Sequence, residues 1–236
     1  MSTATLDSSS HLPHDPVSLF CEQVSESFLE DVVRCFVTTW RDADQKAREW
    51  FPEPERHDLQ PHLRRAMLEC ELRGVATRHG LSASSTKNSK GTASFTQVVS
   101  GRVIITASAV PEPNDIVRHA EFRFTFARSN QLSLFGEPAP AIPDSPLYAL
   151  ILHGPGATET DESGKVVRST AKPGFVDVVF PAPIAGTPDK IEYVGGRLRL
   201  LERYANVLTE GRVAKAEVVE FIAEPKLREQ ETRKEA

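Results

Sequence analysis

The spacing of the apolar residues changes near residue 90, and no other feature constrains the fold of this chain as strongly. Before that point, apolar residues recur at steps of three and four, which is the pattern of an amphipathic helix. After it they recur at every second position, as in a half-buried β-strand. The sequence therefore predicts an α+β fold, in which N-terminal helices are followed by a largely antiparallel β-sheet. The first helical set comprises Leu19, Phe20, Val24, Phe28, Val32, Phe36 and Trp40.

The helical half of the chain contains two regions. The stretch from Pro16 to Trp50 fits one long amphipathic helix or two shorter ones. The Pro-rich residues 51–55 end it, and a further helix is predicted from about Gln60 to His79. Gly80 supplies the C-terminal stop of that helix, because glycine accepts the backbone conformation needed there.

The second half of the chain reads mainly as strands. Residues 82–94 are polar and predict a flexible loop. Residues 94–110 are rich in β-branched side chains and predict a bent strand, or a hairpin that turns at Ser100–Gly101. Residues 119–129 alternate between apolar and polar side chains, which predicts a half-buried strand. The buried face of that strand would carry Phe122, Phe124 and Phe126.

Two further apolar stretches, 147–153 and 174–180, also predict strands, and the first is apolar enough for a central position. Residues 197–208 and 214–225 fit either a helix or a strand. The predicted organisation is a single α+β domain over residues 17–225. Its parts are a helical region (17–80), a mainly β region (94–180), an ambiguous region (190–225) and a Pro-rich loop (129–146), with a flexible tail (1–16) and a charged tail (226–236) on either side.

Charge and composition exclude several classes of protein. The formal charge of −5 gives no electrostatic footprint for nucleic acid, so direct nucleic-acid binding is not predicted. No apolar run approaches the roughly 18 residues that a membrane helix needs. The N-terminal residues lack the pattern of a secretory signal. The three cysteines are odd in number and are predicted to be small buried side chains in a reducing compartment, so we expect a cytoplasmic protein.

The candidate catalytic and metal-binding residues are few. The segment 153–156 follows a predicted strand but lacks the Lys and Ser/Thr of a phosphate-binding loop, so a plain turn is expected. Glu69 and Glu71 would lie on different faces of a helix as solvated charges. His57 and His62 have no Cys or carboxylate at a zinc-binding spacing. Neither a metal nor another cofactor is predicted.

A nuclease element is faintly indicated at one place in the sequence. Glu224-Pro225-Lys226, with Asp177 upstream, is similar to the acidic-x-Lys element of restriction-type nucleases. The separation between its two halves is long. Its proline would also have to lie in the strand that carries the metal site, where proline is disfavoured. A nuclease therefore remains an alternative rather than the leading prediction.

Gln131-Leu132-Ser133-Leu134-Phe135 resembles, letter for letter, the peptide by which bacterial proteins bind the β sliding clamp of DNA polymerase III. That peptide reads Gln-Leu, then Ser or Asp, then Leu-Phe. Polymerase subunits, mismatch-repair proteins and clamp-loader parts carry versions of it. The resemblance covers five of the 236 residues and implies nothing about the fold.

The resemblance implies a role for each of these residues. Leu134 and Phe135 would fill the hydrophobic subsite of the clamp, and Leu132 would enter a smaller depression. Gln131 would fix the register through the donor and acceptor of its amide. Ser133 would be a spacer that faces water. The prolines that follow would stiffen the segment and lower the entropy lost on binding.

The residues alone leave a second interpretation open. The stretch 130–135 also alternates, and could be the return strand of a hairpin that begins with 122–128 and turns near 128–130. Leu132 and Leu134 would then belong to the core, and no partner would be implied.

Three functions follow from these readings. If the peptide is a clamp ligand, we expect a protein that competes with replication proteins for the clamp and inhibits DNA replication. One class of bacterial toxin acts in this way and is restrained by an antitoxin, so an antitoxin or adaptor would be a second partner. The alternatives are a clamp-recruited DNA-processing enzyme, in which Asp177, Glu224 and Lys226 would be the residues to test, and a protein-binding module in which 131–135 is a core strand.

Overall fold

The structure, a computed structural model, describes residues 15–88, 91, 93–134, 146–155, 159–160, 166–167, 171–184, 187 and 190–209. The helices are α1 (Pro16–Gln23), α2 (Glu26–Trp50), α3 (Glu55–Arg78), α4 (Glu121–Leu134), α5 (Leu200–Arg203) and α6 (Ala205–Thr209). The strands are β1 (Ser82–Lys87), β2 (Ser94–Ser100), β3 (Val103–Ala109), β4 (Leu147–Pro155), β5 (Glu159–Thr160), β6 (Val166–Val167), β7 (Pro173–Pro183) and β8 (Ile191–Arg199).

Six of the strands form one sheet in the order β1-β2-β3-β4-β7-β8, and β5 pairs with β6 separately. Every neighbouring pair is antiparallel except β3 and β4, which run parallel. The predicted fold class is confirmed, because N-terminal helices precede a largely antiparallel sheet. The hairpin that turns at Ser100–Gly101 and the two strands near 147–153 and 174–180 are also confirmed.

The N-terminal helices pack against one face of the sheet. The region from Pro16 to Trp50 forms two helices, and Ser25 caps the second by accepting a hydrogen bond from the Phe28 amide. α3 begins at Glu55 rather than near Gln60. The helical side of this core is dominated by large buried side chains, namely Phe20, Phe28, Leu29, Phe36, Trp40 and Leu72. The sheet supplies Val98, Ile105, Ile151, Val178 and Phe180.

Helix α4 covers the opposite face of the sheet, and the predicted strand over 119–129 is wrong. Phe122 stacks on Phe95 with ring centroids 3.7 Å apart, and Phe126 packs against Tyr148. Residues four apart share a helix face, so Phe122 and Phe126 satisfy a helix as well as a strand. The parallel pairing of β3 and β4 decides between them, because parallel strands need a crossover connection, usually a helix.

Other predictions were also wrong. The polar stretch 82–94 contains β1, which pairs with β2 along its whole length. It is an edge strand in which four of the six residues are exposed, so its sequence carries no apolar stripe. Cys21 and Cys70 are exposed rather than buried. The ambiguous stretch 197–208 begins as strand β8 and continues as α5 and α6. Residues 214–225, the charged tail 226–236 and residues 1–14 lie outside the described residues. The last two residues of the predicted flexible tail, Asp15 and Pro16, are instead the N-cap and the first residue of α1.

Gly154 has the least room for a side chain, and Gly154→Ala is expected to lower the free energy of unfolding by about 2 kcal/mol. A Cβ at this position would lie 2.1 Å from the carbonyl oxygen of Val110 and 2.6 Å from the ring of Phe175. In the control, Gly74→Ala, the Cβ lies in the helix α3 with its nearest neighbour at 3.7 Å. That variant should be more stable by about 0.5–1 kcal/mol. Urea denaturation followed by circular dichroism measures both, and equal effects would contradict the packing described here.

Candidate docking segment and neighbouring sites

Asn130 fixes the end of α4 to the sheet. Its side chain is fully buried. The amide nitrogen donates to the carbonyl oxygens of Tyr148 on β4, at 2.7 Å, and of Pro181 on β7, at 2.8 Å. The amide oxygen accepts from the backbone nitrogen of Tyr148 at 2.7 Å. One buried side chain thus joins the helix to two strands, and all three bonds are short enough to be strong.

These bonds also bring together the two ends of a long connection. The chain leaves the Asn130 anchor at residue 131 and rejoins the sheet at Leu147, next to Tyr148. Both ends of the segment 131–146 are therefore held at the same place on the sheet. The buried hydrogen bonds of Asn130 therefore fix the positions of the two ends of this segment.

The predicted clamp-binding residues begin at this base. The backbone of Gln131–Leu134 forms the last helical turn of α4, and Phe135 lies outside the described residues. The alternative in which 131–135 is a core strand is wrong for its first four residues, because they are helical. Two apolar residues two apart are too short a pattern to establish a strand, and here the helix α4 continues through Leu134.

The carboxylate singled out for a nuclease has a structural partner. Asp177 lies buried on β7, and Arg197 on β8 donates to it at 3.2 Å. Burial raises the pKa of Asp177, while the nearby arginines oppose that shift. Glu224 and Lys226 lie outside the described residues. Within the described ranges no three His, Cys, Asp or Glu side chains are grouped so that they could hold a metal ion.

The segment 153–156 does not form the expected turn at its start, because His153, Gly154 and Pro155 belong to β4. His153 is buried, and Trp40 Nε1 donates to its Nδ1 at 3.3 Å. The rings of Phe36 and Trp40 pack edge-on against it. Burial, together with the positive charge of Arg64, lowers the pKa of His153 to about 3. The imidazole is therefore neutral at physiological pH and serves as a core acceptor.

The two glutamates beside Cys70 differ in environment. Glu71 is exposed, as predicted. Glu69 is half-buried, contrary to the prediction, and accepts a hydrogen bond from the Thr96 amide on β2. Burial raises the pKa of Glu69. This carboxylate joins α3 to the sheet, which gives it a structural role.

Sequence reasoning missed a cavity beside the start of α4. It has a volume of about 340 Å³ and lies between residues 116–124 and residues 184–191. Four basic side chains line it, namely Arg118, His119, Arg123 and Lys190. They come from two segments far apart in the chain, so no local spacing in the sequence could have indicated the site.

Comparison with known proteins gave no match: no protein-family model, no curated protein and no solved structure shows significant similarity to this chain. In the part of the chain that the structure describes, the helices are too short or too polar to cross a membrane.

Proposed function

We propose that this chain binds the bacterial DNA polymerase III β sliding clamp through Gln131–Phe135 and competes with replication proteins for the same pocket. The position of the peptide supports this proposal most directly. It starts at the residue after Asn130, whose side chain is fully buried and bonded to two strands. When a partner binds the peptide, the hydrogen bonds of Asn130 would hold the end of α4 on the sheet, so the packing of the core would not change.

Binding in an extended form requires the last turn of α4 to unwind. The final carbonyl groups of a helix have no partners within the helix, so the terminal turn contributes little stability and opens at small cost. The three hydrogen bonds of Asn130 would stop the unwinding at residue 130. The free energy lost in opening one turn is small beside that of two apolar anchors entering preformed pockets.

Competition requires only a docking peptide and a folded carrier. The pocket on the clamp that accepts Gln-Leu-Ser-Leu-Phe is shared by many replication proteins, so an occupant excludes the polymerase. We propose that the chain inhibits replication in this way, as a toxin of the toxin–antitoxin kind, in the cytoplasm where the clamp works. An antitoxin or adaptor protein would be its second partner.

Surface plasmon resonance on immobilised β clamp tests the binding step. The wild-type chain is expected to bind with micromolar affinity, and the variant Gln131→Ala/Leu134→Ala/Phe135→Ala should bind about 100-fold more weakly or not at all, because it lacks the anchors. Ser133→Ala is the matched control, since the spacer is expected to face water, and its affinity should be unchanged. Circular dichroism must show that both variants fold. A folded triple variant that binds as tightly as the wild type would refute the proposal.

A further inference from the structure

The cavity beside α4 has the size and walls of a small-molecule site. Its volume of about 340 Å³ falls at the lower end of the range for ligand pockets, roughly 300–1,000 Å³. Ile116, Phe124 and Ile191 provide apolar wall. Ile116 is 52% exposed, which leaves apolar surface available at the mouth.

One wall is held in place by two partly buried hydrogen bonds. The hydroxyl of Tyr193 on β8 accepts from the Val117 amide at 3.2 Å and donates to the Asp115 carbonyl at 3.1 Å. These two bonds tie the segment before α4 to the sheet. The cavity is consequently formed before any ligand arrives, which reduces the entropy that a ligand must offset.

Among the described residues that line the cavity, every charged side chain is basic. Arg118 and Lys190 are exposed at its rim, and Arg123 lies deeper. None of the described residues that line it is Asp or Glu. Such a site favours an anion and disfavours a cation or a neutral apolar molecule of the same shape.

Arg123 is the most buried of these three cations, and no carboxylate accepts a hydrogen bond from it among the described residues. Its Nη1 donates to the Arg118 carbonyl at 2.9 Å and its Nη2 donates to the Ser108 hydroxyl at 3.0 Å. Both acceptors are neutral, and the buried Nε has no hydrogen-bond partner among the described residues. Burial lowers the pKa of Arg123, which expresses the cost of holding this charge away from water. An anion in the cavity would offset that cost.

We propose that this cavity binds a small molecule that carries one anionic head, a carboxylate or a phosphate monoester, on a short apolar body. The head lies between Arg118, Arg123 and Lys190, and the body lies against Ile116, Phe124 and Ile191. The residues of this site are different from Gln131–Phe135, so the proposal of an anion site does not depend on the proposal of clamp binding.

Isothermal titration calorimetry on the full chain with four six-carbon probes tests this assignment. Hexanoate and hexyl phosphate carry the two anionic heads, whereas hexanol and hexylammonium have the same body without negative charge. Binding of at least one anion, with neither control bound, is the expected result, and the difference between hexanoate and hexyl phosphate identifies the head. Binding of all four probes alike would show a merely apolar pocket, and binding of none would show no site. Either result overturns the proposal.

Charge-removing variants locate the bound anion. Arg123→Met should weaken binding of the anionic probe at least tenfold, because it removes a positive charge and its hydrogen-bond donors from beside the anionic head. Should that variant fail to fold, the rim variant Arg118→Met/Lys190→Met makes the same test on exposed side chains. The control is Arg128→Met, which removes an exposed charge from the same helix, at a residue that contacts Phe124 but does not line the cavity. Unchanged affinity in the rim variant, or equal losses in the rim and control variants, would contradict the assignment.

Discussion

Replacing Asn130 by alanine is expected to lower the free energy of unfolding by about 4 kcal/mol. The substitution removes three hydrogen bonds and leaves the polar backbone groups of Tyr148 and Pro181 without the partner they have in the core. A buried group left unsatisfied costs about 1–3 kcal/mol, and neighbouring losses do not add fully. Guanidinium chloride denaturation followed by tryptophan fluorescence measures the change.

Two further variants sharpen that experiment. Asn130→Asp keeps the shape of the side chain but turns a carboxylate toward two carbonyl oxygens, so it should be at least as destabilising as alanine. Ser129→Ala is the control, because Ser129 is only half-buried and its hydroxyl donates locally to the Phe126 carbonyl. That variant should cost less than about 1 kcal/mol. If Asn130→Ala cost no more than Ser129→Ala, the anchor would not hold α4 to the sheet.

His153 is expected to make the chain less stable in acid. Its pKa is lowered from 6.5 to about 3 in the folded chain, while the unfolded chain keeps the ordinary value. Between these two values the unfolded state binds a proton that the folded state does not. The contribution is therefore fully present above pH 6.5 and is lost as the pH falls toward 3, by about 1.4 kcal/mol per pH unit within that window.

Urea denaturation at pH 7 and pH 5 isolates this contribution. His153→Asn keeps an acceptor for the Trp40 indole but cannot titrate, so it should reduce the loss of unfolding free energy between the two pH values by about 2 kcal/mol. The other histidines are the same in the wild type and the variant, so a difference in pH dependence between the two proteins comes from position 153. An identical pH dependence in the wild type and the variant would show that His153 becomes protonated within the core.

The elements that were predicted correctly from the sequence are those in which the spacing of the apolar residues fits only one type of secondary structure. In α2 the residues at steps of three and four, such as Phe28, Val32 and Phe36, are the ones buried against the sheet. β4 was predicted because eight of its nine residues are buried, so that an unbroken apolar run marks it. In these elements local sequence and tertiary packing impose the same pattern.

The failures occurred where one pattern fits two structures. Phe122, Phe124 and Phe126 alternate, yet the first and last also lie about one helical turn apart. The parallel pairing of β3 with β4, which is not visible in this local pattern, favours the helix. β1 carries no apolar stripe because four of its six residues are exposed. No periodicity identifies Asn130 or the basic cavity, because each depends on residues distant in the chain. The clamp-binding peptide was predicted from the resemblance of five residues to a known motif, and that resemblance is independent of the fold.

Primer extension by DNA polymerase III on a primed template with loaded β clamp tests the central claim most directly. The wild-type chain is expected to shorten the products, and added free clamp should restore full-length synthesis, because it absorbs the competitor. The Gln131→Ala/Leu134→Ala/Phe135→Ala variant should leave synthesis unaffected. If the folded variant stalled synthesis as strongly as the wild type, or if excess clamp gave no relief, the chain would not act by occupying the clamp through Gln131–Phe135.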